Sequence, residues 1–577
     1  MGRVPRHVCV WAGGTVTLCA LGGCPGNDSS SNKTAQPTAW FREITRDVGL
    51  TFVHDAGRSG KLHMPEIMGS GAALFDFDRD GDLDVYLING NRTFVSIDQR
   101  EGPPPINRLF RQERDGRFVD VTGSSGLGDA GFGMGVAVAD IDNDGFPDVY
   151  VTNYGADRLY RNRGDGTFED ITERAGVTVS GWSSSASFLD YDRDGLLDIY
   201  VVRYVEYNPL HTCTDDAGRP EYCGPTAFEP VHDVLLHNEG LIEGVPRFRD
   251  VSVEAGIAPL RAAGLGVVCE DFNDDGWVDV YVANDAYANQ LWINQKNGTF
   301  RDEALAYGAA FNLQGKAEAG MGVVAADFDG DGRLDLFMTH LRTESNTYYR
   351  NLGAMGFVDA TGESGLGWTS VPYTGFGTAA FDVELDGDLD LLIVNGRVNH
   401  GKVLPGARLD PVWNTYAEPN LFYLNNGHGR FQPAGRELDT ICAPVEVSRG
   451  LAVGDIDRDG DLDVLLTNGD GPARLYRNDA PRRGNWLIVR AIDPRYHRDA
   501  LCARVTVVTA DRRLVRTING GFSYLSASEP LAHFGLGDAS TVERLEVRWP
   551  DGMRESFPVG ALNTYVTVRR GEGMVLP

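Results

Sequence analysis

The chain has 577 residues, of which 53 are basic and 82 acidic, giving a formal charge of −29 and a pI near 4.7. That balance excludes a generic nucleic-acid binder, which needs a basic footprint, and excludes electrostatic attachment to anionic lipid. With 42% hydrophobic and 10% aromatic residues the chain has ample material for packed cores, and its 71 glycines point to many tight turns between short strands. The acid is unevenly placed: residues 481–577 hold 14 Arg, no Lys and 10 Asp or Glu, a net of +4, which leaves −33 for the first 480.

The amino terminus reads as an export signal. Arg3, Arg6 and His7 precede a mostly apolar run from Val8 to Ala20, and Leu21-Gly22-Gly23-Cys24 leads into a polar stretch. We assign 1–24 as signal and 25–39 as tether. The cysteine motif resembles a bacterial lipobox, which implies lipidation of Cys24; an ordinary cleaved signal is the alternative. Nothing else approaches the roughly 18 apolar residues that span a bilayer, so an N-terminal lipid is the sole membrane contact expected.

From residue 76 onward one nine-residue segment recurs seven times. Its acidic or amide positions 1, 3, 5 and 9 are Asp76, Asp78, Asp80 and Asp84 in the first copy, and Asp140, Asp142, Asp144 and Asp148 in the second. The third has Asp190, Asp192, Asp194 and Asp198, and the fourth Asp271, Asn273, Asp275 and Asp279. The fifth has Asp327, Asp329, Asp331 and Asp335, and the sixth Asp382, Glu384, Asp386 and Asp390. The seventh has Asp455, Asp457, Asp459 and Asp463, and position 6 is glycine throughout. Calcium is a hard cation that takes six to eight oxygens, and carboxylates at 1, 3 and 5 converge on it when the chain turns tightly at a glycine. The first half of the segment resembles an EF-hand loop, but position 12 is never the bidentate Glu: it is Leu87, Val151, Val201, Val282, Met338, Ile393 or Leu466. Apolar, β-branched residues follow position 9, so these are expected to be calcium loops in β-hairpins rather than between helices. An Asp/Gly-rich turn without metal is the bland reading. Seven copies gather 27 mutually repelling carboxylates, which favours a cation; up to seven Ca²⁺ would bring the charge from −29 to −15.

Each loop follows a Gly-rich apolar strand, and most are followed by a pattern such as RLYRNRGDGTFEDITERAGV at 158–177. Four short strands per unit, repeated seven times over 40–480, predict a seven-bladed β-propeller within an all-β chain. The seventh unit stops after RLYRND, and WFREITRDVGL at 40–50 looks like its missing last strand, so the ring is expected to close with its own start. Residues 481–577 alternate apolar and polar in short runs and suit a small β-sandwich-like domain, with His533 packed rather than ligating.

The seven loops resemble FG-GAP repeats, as in integrin alpha-chain propellers. The tail segments FSYLSASEPLAHFGLG and LEVRWPDG resemble the ASPIC/UnbV domain, and the chain from about residue 40 onward is similar to the cartilage acidic protein family, including bacterial lipoprotein-like members. The resemblance implies an extracellular, calcium-binding, matrix- or adhesion-associated protein. Asn273 and Glu384 depart from the loop pattern and make the fourth and sixth sites the weakest.

Cys213 and Cys223 bracket a Gly- and Pro-containing step and are expected to close a surface loop as a disulfide in an oxidising compartment. Cys269 reads as a small core residue, and Cys442 and Cys502 are left open. The leading reading is an exported calcium-binding binding, adhesion or scaffold module for an extracellular protein or glycan, using the long insertions at 85–118, 203–245 and 395–420. The alternative is a calcium-dependent polysaccharide lyase or hydrolase built on His54, His63, Glu66, Arg342, Glu344, Arg397 and His400, although no known catalytic motif accompanies them.

Overall fold

The computed structural model describes residues 39–576; the export signal, nearly all of the tether and Cys24 lie outside the described residues. Strands dominate, and each α-helix is a single turn of four residues. In the first unit Ala72–Phe75, Asp84–Leu87, Arg108–Gln112 and Phe118–Asp120 pair in that order, all antiparallel. Six further four-stranded units repeat this order, the second and third joined where Trp182 pairs with Tyr154. The inner strands touch in cyclic sequence, from Ala72–Phe75 through Phe132–Ala139, Ser180–Leu189, Gly264–Glu270, Val323–Ala326 and Gly375–Phe381 to Ser448–Gly454, which returns to the first. Phe41–Glu43 pairs with Arg474–Asn478, so the start of the chain supplies the outer strand of the last blade.

Glycine is needed in the inner strands because neighbouring backbones crowd there. A Cβ at Gly322 would lie 2.2 Å from the Phe376 carbonyl oxygen, and one at Gly266 2.2 Å from that of Met321. The apolar strand after each loop is buried on both faces, as in DVYVAN at 279–284, which is why it reads as a continuous apolar run rather than an alternation.

One side-chain contact recurs around the whole ring. An amide residue of each third strand, the strand's last residue except at Asn238, donates its side-chain N–H to a carbonyl in the preceding blade's loop. Asn162 reaches Phe77 O at 2.8 Å, Asn238 Ile141 O at 3.1 Å, Asn294 Tyr191 O at 2.8 Å and Asn351 Phe272 O at 3.0 Å. Asn425 reaches Phe328 O at 2.9 Å and Asn478 Val383 O at 3.1 Å, and Gln112 closes the circuit onto Ile456 O at 3.1 Å. Each of these residues ties its own blade to the one before it.

The tail forms two sheets around its own core. Asn485–Asp493 pairs antiparallel with Ala532–Gly537 and parallel with Thr564–Arg569, while Arg504–Val508 sits between Arg513–Thr517 and Arg544–Arg548. Leu487, Val489, Val505, Phe534, Val547 and Trp549 fill the space between them. Ala39–Pro577 nevertheless forms one compact unit, because residues 519–529 leave the tail and enter the ring. Ala527 bonds to Ala72 O and Leu74 N, Leu525 to Val136 N and to Ser185 Oγ, and Asn519 to Cys269 O. Ser523 exchanges two backbone bonds with Val323 and accepts from Thr378 N, and Ser528 Oγ accepts from Val453 N. Every inner strand thus meets this segment. Tyr524, fully buried, donates to Met68 O at 3.1 Å and stands edge-on to Phe376 at 4.9 Å. The segment fills the centre of the ring: the inner strand edges would otherwise carry unpaired N–H and C=O groups, and the tail segment satisfies them.

Candidate metal centres

The seven loops share one backbone. Position 6 glycine has φ between 87° and 99°, and position 4 is also left-handed: Arg79, Asn143, Arg193, Asp274, Leu385 and Arg458 have φ of 57–65°, and Gly330 76°. Residues that seldom adopt this conformation are held there by hydrogen bonds. The position 1 carboxylate accepts from the position 6 N–H at 2.6–3.1 Å in all seven loops. The position 5 carboxylate accepts from the position 7 N–H at 2.8–3.3 Å.

Position 9 does more than the spacing implied. Asp84, Asp148, Asp198, Asp279, Asp335, Asp390 and Asp463 are at most 2% exposed. Each accepts from the position 2 N–H at 2.9–3.3 Å and from the backbone N–H of the third-strand amide residue at 2.7–2.9 Å. These aspartates pin loop to blade and also floor the site.

The carboxylates converge. Oxygens of Asp76, Asp78 and Asp84 lie within 4.8 Å of one another, as do those of Asp140, Asp142 and Asp148 and those of Asp190, Asp192 and Asp194. Burial is the largest cause of raised pKa, and neighbouring carboxylates add to it: Asp84 is pushed up to about 8, Asp140 and Asp382 to about 7, Asp190 and Asp327 to about 6. Asp78 Oδ1, Asp190 Oδ1, Asp327 Oδ1 and Glu384 Oε2 are buried without a hydrogen-bond partner. Donor sets made of carboxylate oxygens, crowded and under-partnered, fit a hard divalent cation, and at the third loop the His237 imidazole joins Asp192 and Asp198. The residue preceding the third-strand amide adds a basic side chain beside several loops, which the loop spacing alone did not reveal. Arg161 lies 2.5 Å from Asp142 and Arg477 3.8 Å from Asp457, and His237 Nδ1 lies 3.1 Å from Asp198.

The basic tail faces these loops. Arg498, 6% exposed, donates to Asn143 Oδ1 and Gly195 O, at 2.9 and 3.1 Å, between the second and third loops. Arg512 donates to Asp386 O at 2.8 Å and pairs with Asp388, and Arg483 lies 3.2 Å from Glu384. Arg482 lies 2.7 Å from Asp459, Tyr565 donates to Asp455 at 2.6 Å, and His533 meets Gly460 O at 3.0 Å, buried as expected. The charge asymmetry between the chain's two parts is thus a contact between them.

Because the strands are antiparallel, the connections after the second strands lie at the other end of the blades from the loops. The long insertions lock there. His400 Nδ1 meets Glu221 at 2.8 Å, Tyr207 Oη meets His63 Nδ1 at 3.1 Å, Arg58 pairs with Asp410 at 2.9 Å and Trp413 Nε1 donates to Asp470 at 2.7 Å. A disulfide joins Cys213 and Cys223 in this region, while Cys269, Cys442 and Cys502 are free. Most residues of the enzyme alternative are held in structural contacts. His54 is 3% exposed, bonded to Ser70 and lowered to about 4 by burial, and Glu66 is 1% exposed and held by Ser59. Arg397 is spent on the buried pair with Glu418 at 2.8 Å, Glu344 pairs with Lys316 at 3.2 Å, and Arg342 N–H donates to Thr374.

Comparison with known proteins agrees with this architecture. An FG-GAP-like repeat model matches 76–151, 140–201, 271–338, 327–393 and 408–466, and an ASPIC and UnbV model matches 493–574. Cartilage acidic protein 1 of Mus musculus is 26% identical over 515 residues, covering 86% of this chain and 73% of that one. The Homo sapiens protein is 25% identical over 524 residues, covering 87% and 72%. Among solved structures, the BP39L lectin of Burkholderia pseudomallei is 12% identical with a TM-score of 0.41, covering 72% of this chain and 97% of its own. The repeat matches span more than half of the chain and the ASPIC and UnbV match spans most of the tail, so the chain belongs to the FG-GAP repeat proteins with an ASPIC/UnbV domain that include cartilage acidic protein 1.

Proposed function

We propose that this protein is an exported binding module, held in shape by calcium at its hairpin loops, whose insertion-bearing end engages an extracellular protein or glycan. The observation that carries the reading is the inequality of the two ends. The tail covers the loop end and fills the channel, reaching the opposite end through Tyr524 at Met68 O, while the end built from 54–68 and the insertions is braced by its own ion pairs and disulfide. Inserted loops on a rigid frame are where recognition commonly resides. Calcium is supported by the crowded, carboxylate-rich donor sets, and export by the basic, apolar start at 1–24. Among the described residues no helix is long and apolar enough to cross a membrane, and attachment is assigned to a lipid on Cys24.

A glycan and matrix-protein array, run with calcium and with chelator, tests this. We expect calcium-dependent binding that is lost when 208–219 are replaced by a short Gly/Ser linker in a protein of unchanged fold. Binding that survives both treatments would overturn the assignment of the face. Release of cleaved product from an arrayed polysaccharide would favour the lyase or hydrolase alternative.

A further inference from the structure

The seven loops are alike in backbone but not in what faces their first carboxylate. Among the described residues, Asp271 in the fourth loop is the only position 1 carboxylate in an ion pair, and its partner is Arg548 of the tail. At Asp76, Asp140, Asp190, Asp327 and Asp382 that carboxylate accepts only from N–H groups of its own loop, and at Asp455 it also accepts from the neutral Tyr565 hydroxyl. Arg548 lies 3.1 Å from Asp274, Arg504 donates to Asp271 O at 3.0 Å and pairs with Asp274, and Lys296 lies 3.3 Å from Asp275. The same loop has the neutral Asn273 at position 3.

We propose that the fourth loop binds no calcium and holds the Arg548 guanidinium in the cation's place, making it the socket by which the tail locks onto the ring. This rests on the reading that the remaining loops bind calcium. The charges agree with it. A divalent ion facing three carboxylates and an amide, with an arginine already paired to one of the carboxylates, would meet like charge at short range and lose part of the attraction that offsets its dehydration. A guanidinium is permanently charged, presents a planar fork of donors and is more weakly hydrated than an ammonium, so it suits a carboxylate at the seam between two domains. Elsewhere the tail's arginines pair with loop carboxylates only away from position 1, as Arg482 does with Asp459 and Arg483 with Glu384. Arg498 and Arg516 lie between neighbouring loops and donate to carbonyl oxygens such as Gly195 O and Gly387 O, at 3.1 and 3.3 Å, leaving the first carboxylates open to a metal.

The test counts calcium on the full chain, stripped with chelator and reloaded, by native mass spectrometry and elemental analysis. The wild type is expected to take up at least one ion fewer than its seven loops. Asp271→Asn should leave the count unchanged, whereas Asp327→Asn should lower it by one. Arg548→Met combined with Asn273→Asp should raise it by one, and Arg548→Met alone should increase amide exchange in the 271–279 loop with calcium present. Circular dichroism and melting confirm that each variant is folded, and the double variant keeps the idea testable if Asp271→Asn is not. Seven ions on the wild type, or loss of an ion on Asp271→Asn, would overturn the fourth-loop assignment and leave the calcium reading standing. No calcium on the wild type would overturn both.

Discussion

The ring and the tail are stabilised in opposite ways. In the ring one set of contacts is used seven times: an aspartate pinned under two backbone amides, a left-handed turn, and an amide reaching the preceding blade. In the tail nothing repeats, yet the segment 519–529 touches the inner strand of every blade. Repetition distributes stability, so losing one copy weakens one seam. A single segment that serves all seven inner edges concentrates it, so losing that segment is felt around the whole ring.

The largest effect expected is on removal of 481–577. It strips the channel and the basic cover from the loops, and the remaining ring should aggregate or melt more than about 10 °C lower. The point version is Tyr524→Ala, which empties a fully buried site and costs about 3–5 kcal/mol by denaturant unfolding. Tolerance of either change would break the comparison.

Next comes calcium and pH together. Asp84 at about 8 and Asp140 at about 7 are raised in the folded state above the unfolded value of about 3.9. A raised folded pKa means the folded state holds a proton that the unfolded chain has released. Its stabilising contribution is therefore full below about pH 4 and is lost as pH rises through 7 to 8. In chelator the melting temperature should fall between pH 5 and pH 8. With saturating calcium the ionised carboxylates are bound and the fall should flatten or reverse. Parallel pH profiles with and without calcium would count against metal in these loops.

A smaller effect belongs to one repeat contact. Asn351→Ala removes the donor from Phe272 O and Leu334 O, and should cost about 1–3 kcal/mol because buried carbonyls lose their partner. The exposed Asn426→Ala is the control and should stay within about 0.5 kcal/mol. Equal losses would mean that the seams between blades do not depend on these amides. Smallest of all, Arg79→Gly relieves a left-handed φ of 63° and should be neutral to stabilising by up to about 1 kcal/mol, since relief of strain is offset by a more flexible unfolded chain.

The sequence by itself determined the local architecture. The strand, loop, strand order, the glycine at position 6, the return of 40–50 to the last blade and the Cys213–Cys223 pair are all set by residues close in the chain or by a repeat that can be aligned with itself. Folding decided the rest, because it depends on residues that meet from far apart. The channel segment GFSYLSASEP has no period of its own; its small, hydroxyl-bearing side chains make sense only inside a narrow ring whose strand edges need partners. The third-strand Asn was visible as part of LYRN, but its acceptor lies in the preceding blade. The net of +4 in the tail was legible as a number, and the fold turned it into arginines facing carboxylate loops, since opposite charges attract most strongly at short range.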